Sequence, residues 1–287
     1  MSEQNYFVTM KWGSATLGGT RDAFTATHIN NIQTMLEKTQ SQPFKLFCLT
    51  DTPEGLDDAV EYIPLPDSVK QMIRGAQGNF AKLYLFSQEF RKRMAQNFVF
   101  LDIDVVLCGD VSDVFARDDG LVILEGPYCR RVSVFTDPKK HVVGRSVTGF
   151  VKTLMTRGPR AASVYLKYAG SRWCMVNSSF MRISPHDPDL WAGFDPVRAR
   201  AEISAAHLIG TDQAWVQLAY PGQFDILGHD DGFWRHPSLR SHIRRNKALP
   251  DGLKFVAFPG DGQKPWLLRD DPYLAPVLAQ YPEKVPV

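Results

Sequence analysis

Cysteine is scarce: four in 287 residues, Cys48, Cys108, Cys129 and Cys174, with no two in a C-x-x-C pair. That spacing excludes a zinc knuckle or a dithiol redox pair, and three of the four lie in apolar runs where cysteine acts as a small core residue. Long apolar runs are missing too, none approaching the ~20 residues of a membrane span. The opening residues MSEQNYFVTMKWG carry no basic stretch followed by an apolar core, so no secretory leader is expected. These absences predict a cytoplasmic protein without a transmembrane segment. Charge of one sign is lacking as well. Lys and Arg total 33 against 31 Asp and Glu, a formal net charge of +2, which gives no electrostatic reason to expect nucleic acid or an anionic membrane as main partner. There is no internal repeat or low-complexity tract. No G-x-G-x-x-G follows the first strand and no G-x-x-x-x-G-K-[ST] occurs anywhere, so the two commonest phosphate loops are excluded.

What is present is an ordinary globular composition, 44% hydrophobic, 11% aromatic and 22% charged, in a chain long enough to bury a large core. Tyr6–Met10, Phe44–Leu49, Tyr62–Ile63 and Phe98–Leu101 read as apolar strands. Between them, Ile29, Ile32, Met35 and Leu36 recur at helical spacing behind Thr27 as cap, and Phe80–Phe90 reads as a second helix. Further on, Gly120–Glu125 and Phe255–Phe258 predict strands. Cys174–Val176 and Phe180–Ile183 flank the polar Asn177-Ser178-Ser179, and Thr211 caps a short helix over Asp212–Ala219. The basic, glycine-bearing stretch Asp137–Arg160 yields no assignment, and the proline-bearing end after Asp271 reads as a packed or frayed tail. Strands alternating with helices predict an α/β fold with a mostly parallel central sheet flanked by helices. Such sheets bind ligands outside the carboxyl ends of their strands.

Asp102-Ile103-Asp104 is the sharpest chemical feature. It ends a run of four apolar strand residues, and residues two apart in an extended chain face the same side. Two converging carboxylates at a strand end suit Mn²⁺ or Mg²⁺, which take waters and substrate phosphates as their remaining ligands. Chance alone would give roughly two such triplets in a chain of this composition, and a second does occur, Asp187-Pro188-Asp189. That one lies in a proline-bearing turn with no strand leading into it. Asn177 sits where the flanking apolar runs break, so its amide either faces a cleft or closes a bulge. It is a candidate to hydrogen-bond a ligand.

The segment Phe100-Leu101-Asp102-Ile103-Asp104-Val105-Val106 followed by Gly109-Asp110-Val111 resembles the "LDxDVVxxGDL" segment of GT-A glycosyltransferases, particularly glycosyltransferase family 8 and related bacterial enzymes. Val176-Asn177-Ser178-Ser179-Phe180-Met181 is similar to that family's "NSGxM" strand, and Gly210-Thr211-Asp212-Gln213 to its "DQ" segment. Phe258-Pro259-Gly260 through Lys264-Pro265-Trp266 is similar to its C-terminal "H-x-x-G-x-x-KPW" loop. The four segments fall in the family's order, and the resemblance as a whole covers roughly residues 6–268.

The resemblance implies a GT-A-like domain over residues 1–270, with a donor half to about 117, an acceptor half from about 118, and a C-terminal tail over 271–287. It implies transfer from a nucleotide-diphosphate sugar, usually a UDP-sugar, with retention at the anomeric carbon and Mn²⁺ (or Mg²⁺) held by Asp102 and Asp104. Lys264 matches the lysine that contacts the diphosphate. Asp212 and Gln213 would lie beside the reacting sugar, with Gln213 orienting it or stabilising positive charge rather than attacking it. Lys11 and Trp12 fall where the base-binding loop follows the first strand. Asn79 and Lys82 begin the helix before the acidic strand, with Lys82 in the place of a basic residue near the donor. Asp51 is a further ribose or base candidate. The acceptor is a saccharide, a lipid-linked sugar or a protein, a nucleic-acid base fitting the near-neutral charge less well.

One departure stands out. The family's C-terminal loop opens with a histidine that completes the metal shell, whereas Ala257, Phe258 and Pro259 stand here. Asp261, His229, Asp230 or Asp231 would have to replace it, or the two carboxylates with donor and water suffice. The basic run Arg235–Lys247 reads as a solvated face or as a site for an anionic acceptor. Two other functions share such a sheet. One is a nucleotidyltransferase, for which the Gly18, Gly19 and Arg21 loop does not match the usual pattern. The other is a nucleotide-sugar-binding protein without turnover.

Overall fold

The computed structural model describes residues 4–13, 24–117, 120–126, 151, 154, 155, 159, 172–221, 225–259 and 263–282. The Gly18-Gly19-Arg21 loop, Cys129, most of 137–160 and Asp261 lie outside the described residues. In chain order the elements begin with β1 (Asn5–Met10), α1 (Ala26–Thr39), β2 (Phe44–Thr50), β3 (Val60–Pro64), α2 (Asp67–Met72), α3 (Gln88–Met94), β4 (Phe98–Leu101), β5 (Val105–Leu107) and β6 (Val122–Glu125). They continue with β7 (Arg172–Trp173), β8 (Val176–Ile183), α4 (Pro196–Ala205), β9 (Leu208–Ile209), α5 (Asp212–Ala219) and β10 (Asp225–Leu227). The last are β11 (Phe233–Arg235), α6 (His236–Asn246), β12 (Phe255–Ala257) and α7 (Ala275–Leu278).

Seven strands form the central sheet in the order β10-β6-β8-β4-β1-β2-β3. Adjacent pairs run parallel except where β8 lies antiparallel to both β4 and β6. The expected mostly parallel sheet flanked by helices is therefore present. β1, β2 and β4 read as continuous apolar runs because both sheet faces are covered. Phe7, Leu46, Val99 and Leu101 pack under α1 on one face, while Val8, Phe47, Phe98 and Phe100 meet Phe80, Leu83, Phe86 and Phe90 on the other. A second, three-stranded sheet, β11-β12-β5, is built directly after the acidic motif, with β12 antiparallel to β5. It fixes the chain immediately downstream of Asp104: the Phe258 backbone N–H donates to the Asp104 carbonyl at 3.0 Å. Among the described residues no helix is long and apolar enough to cross a membrane.

Several local expectations are corrected. Helix α1 starts at Ala26 behind Thr25, not behind Thr27. His28, three residues past the cap, accepts the Thr25 backbone N–H on Nδ1 at 3.0 Å, the reciprocal half of a capping box made by an imidazole. The single helix expected over Phe80–Phe90 is broken. A 3₁₀ segment, Gly78–Phe86, gives way to α3 at Ser87, whose Oγ accepts the Phe90 N–H at 3.1 Å and starts a new helix. Strand β8 runs unbroken through Asn177-Ser178-Ser179, because a shift in register between Ile123 and Leu124 takes up the extra residues. Residues after Asp271 are packed as far as they are described: Leu274, Val277, Leu278 and Tyr281 are buried against the α1 side of the core. In the second D-x-D triplet the acids serve structure. Asp187 accepts the Ser184 N–H and the Tyr220 hydroxyl, and Asp189 accepts the backbone N–H groups of Gln88, Trp191 and Ala192.

Two buried histidines set an acid limit on this fold. Burial lowers the pKa of His28, wedged against Trp266, to about 4, and that of His236, stacked on Phe258, to about 4. Both stay neutral in the fold but protonate near 6.5 once unfolded. The unfolded chain therefore binds more protons between pH 6.5 and 4, and stability drops as pH falls through that window. Each histidine contributes up to about 3 kcal/mol to the drop. Urea titrations at pH 7 and pH 5 should show it, and His236→Asn should remove about half of it; a flat profile in the parent protein would contradict the assignment.

Candidate active site

Asp102 and Asp104 stand at the carboxyl end of β4, and each takes a different lysine. Lys82, on the 3₁₀ segment below, donates from Nζ to Asp102 Oδ2 at 2.7 Å. Lys264, from the loop after β12, donates to Asp104 Oδ2. Asp104 is 7% exposed; burial, and then the charge of Asp102, raise its pKa to about 6 against the opposing pull of Lys264. Burial works against the ammonium of Lys82, yet Asp102, Asp212 and Asp104 outweigh it and raise its pKa.

A third acid joins through Ser178. The Ser178 hydroxyl donates to Asp212 Oδ2 at 2.5 Å and lies 3.5 Å from Lys82 Nζ, which is itself 4.0 Å from Asp212 Oδ2. Thr211 Oγ1 donates to Asp212 Oδ1 at 2.9 Å, so both carboxylate oxygens of Asp212 are held at the start of α5. Gly210 makes this approach possible. Its φ is +152°, and a Cβ there would meet Cys174 Sγ at 2.7 Å and Ala214 Cβ at 3.1 Å. Gln213 follows, half-buried on the first turn of α5. Asn177 is buried in β8 and its Oδ1 accepts the Ser179 N–H at 2.8 Å; of the two placements open from sequence, the amide closes the bulge.

On the β1 side, a cleft is lined by Met10, Lys11, Trp12, Phe24, Lys82, Phe100, Asp102 and Ile103. Lys11, Trp12, Lys82 and Asp102 thus line one cleft. Lys11 Nζ donates to the Thr52 carbonyl at 2.9 Å and to Thr52 Oγ1, and burial lowers its pKa. Asp51 Oδ1 accepts the Gly13 N–H at 2.9 Å and so shapes the turn that carries Trp12. Asn79 is exposed at the head of the 3₁₀ segment and does not line the cleft.

Asp261 lies outside the described residues, and two of the other candidates for a third metal ligand, His229 and Asp231, are engaged elsewhere. His229 Nε2 lies 3.4 Å from Glu125 Oε1 with its ring stacked on Trp234. Asp231 pairs with Arg117 at 2.6 Å and accepts the Gly228 N–H, and Asp230 is exposed. Phe258, at the family's histidine segment, is fully buried and stacks on His236. Among the described residues no three His, Cys, Asp or Glu side chains group as a metal cage. The run Arg235–Lys247 forms α6, an amphipathic surface helix with Leu239 and Ile243 inward and Arg240 paired to Asp271 at 2.6 Å. Ser178 is the site residue that sequence reasoning missed. Its signal was a run of three polar residues inside a buried strand.

The sheet order, with β8 opposed to both its neighbours, is that of a GT-A-like fold. Among solved structures, the chain is similar to the galactosyltransferase LgtC in complex with donor and acceptor sugar analogs, with TM-score 0.50 and 13% identity over 97% of this chain and 96% of that one. An active-site mutant of LgtC gives TM-score 0.53 at 12% identity, over 96% and 94%. The bifunctional glycosyltransferase WbbM gives 0.51 at 12%, over 98% of this chain and 50% of that one. No protein-family model and no curated protein matches the sequence.

Proposed function

We propose that the chain is a glycosyltransferase that moves a sugar from a nucleotide-diphosphate sugar, with uridine as the base, to an acceptor hydroxyl with retention of anomeric configuration. The observation that carries this reading is the pairing of two lysines with two acids at one strand end, beside a third, fully hydrogen-bonded acid. The two ammonium groups would serve a diphosphate there, and Asp212 would accept sugar hydroxyls.

The donor set fits a divalent cation. Asp102 and Asp104 are hard oxygen ligands close enough for one charge to raise the pKa of the other. Three acids face two ammonium groups here, leaving one net negative charge, and a nucleotide-diphosphate sugar adds two more. A divalent cation carried with the diphosphate would offset two of those three charges, and Mn²⁺ or Mg²⁺ commonly takes phosphate and water as its remaining ligands. Asp102 and Asp104 would hold it, and its chemistry is to stabilise the departing diphosphate as a Lewis acid.

The chain's own residues supply the rest. Trp12 offers a stacking face for the base, and Lys11 and Asp51 brace its turn. Lys82 and Lys264 donate to phosphate oxygens, where positive charge favours departure of the nucleotide. Asp212 accepts sugar hydroxyls, Gln213 steadies the anomeric centre, and Asn177 keeps the β8 bulge that presents Ser178. The leaving phosphate oxygen takes the acceptor's proton on the same face. Residues 1–117 thus hold most of the donor, with Lys264 reaching back from the acceptor half.

A panel of nucleotide sugars with Mn²⁺ should give turnover or slow donor hydrolysis with a UDP-sugar, and proton NMR of the product should show the donor's anomeric configuration. An inverted product would overturn the same-face mechanism. Incorporation from a nucleoside triphosphate with release of pyrophosphate would favour a nucleotidyltransferase instead.

A further inference from the structure

Both cation-binding acids are already partnered as the protein folds, and the partners come from separate places. Lys82 is fixed by the 3₁₀ segment, with its side chain 14% exposed. Lys264 comes from the loop whose next aromatic residue, Trp266, is wedged against His28 at 4.4 Å and Phe24 at 5.9 Å. Neither ammonium can leave its carboxylate cheaply for solvent, because both stems are largely buried. A cation arriving alone would have to expel two ammonium groups and then sit beside them, three positive centres around two carboxylates. A diphosphate changes this balance, since its oxygens give both ammonium groups new anionic partners a few ångströms away.

We propose that Lys82 and Lys264 are resident counter-ions that close the Asp102–Asp104 pair to a free divalent cation and yield it only when a nucleoside diphosphate draws them onto its phosphates. This rests on the reading of the acid pair as the cation site. Cation and nucleotide then bind as one unit, with a positive coupling set by these two lysines. Coupling is reciprocal, so the nucleotide also binds more tightly when the cation is present.

The test uses the full chain, with Mn²⁺ and UDP as probes and the electron paramagnetic resonance signal of free Mn²⁺ as readout. Mn²⁺ alone should bind the parent protein weakly, and saturating UDP should tighten it by about a hundredfold. In Lys264→Met, which keeps the stem and removes the charge, Mn²⁺ alone should bind about tenfold more tightly and the gain from UDP should shrink. Lys264→Arg keeps the charge and should keep the coupling, and Lys82→Met provides a second, independent charge removal should the first variant fold poorly. Equal Mn²⁺ affinity with and without UDP in the parent protein would overturn the proposal while leaving the acid pair as the cation site. Unchanged or weaker Mn²⁺ binding in both methionine variants would overturn it as well. Absence of Mn²⁺ binding in either state would overturn the cation-site reading itself, and the exchange with it.

Discussion

Replacing Asp104 by asparagine is expected to lower kcat/KM for a UDP-sugar about a thousandfold, the scale set by removing a preorganised electrostatic group from a buried site. The substitution keeps the side-chain volume, and the bond from the Phe258 N–H at 3.0 Å goes to the Asp104 backbone, so the junction of β4, β5 and β12 is retained. What disappears is one of the two charges proposed to hold the cation, together with the counter-charge of Lys264. The amide oxygen still accepts from Lys264, so the cost to stability is about 1–3 kcal/mol rather than that of a stranded ammonium. Steady-state kinetics and a urea titration on one sample separate the two effects. Activity within a few-fold of the parent would remove Asp104 from the mechanism.

Asp212→Asn should behave differently. Both oxygens of Asp212 accept hydrogen bonds, from Ser178 and from Thr211, and an amide offers only one acceptor. Its NH₂ group would face the hydroxyl of Ser178 or Thr211 as a competing donor, near the Lys82 ammonium 4.0 Å from the present Oδ2. On the proposed reading Asp212 serves the sugar rather than the diphosphate, so kcat should fall about a hundredfold while the affinity for UDP stays close to that of the parent. Isothermal titration with UDP and Mn²⁺, run beside kinetics, distinguishes this from a general collapse. A parallel loss of UDP affinity would place Asp212 on the phosphates instead.

The part of the fold readable from sequence was the part governed by burial on both faces. β4 is apolar along its length and β1 and β2 largely so, and that pattern needs no tertiary information. The acid pair was readable for the same reason, since two carboxylates ending such a run have no ordinary place in a core. Where local chemistry competed with pattern, reading failed. Thr25 and Thr27 are equally good capping residues, and only the His28 imidazole, an unusual third-position partner, decides between them. The apolar series from Phe80 to Phe90 hides the restart at Ser87, because both pieces bury the same face. In β8 the polar Asn177-Ser178-Ser179 masked a continuous strand, since a register shift is a property of the pair and not of one strand. The lysine partners lie 20 and 160 residues from their acids. The resemblance pointed to Lys82 and Lys264 as donor-facing, but their contact with Asp102 and Asp104 emerges only from the packing of β12 against β5 and of the 3₁₀ segment beneath β4.

The most direct measurement is a crystal structure of the protein soaked with Mn²⁺ and a non-hydrolysable UDP-sugar analogue. The pyrophosphate should lie over the end of β4, bridged through one ion to Asp102 and Asp104, with the base against Trp12 and the Lys264 ammonium moved from carboxylate to phosphate. A nucleotide found elsewhere on the molecule, with both lysines still on their acids, would contradict the account.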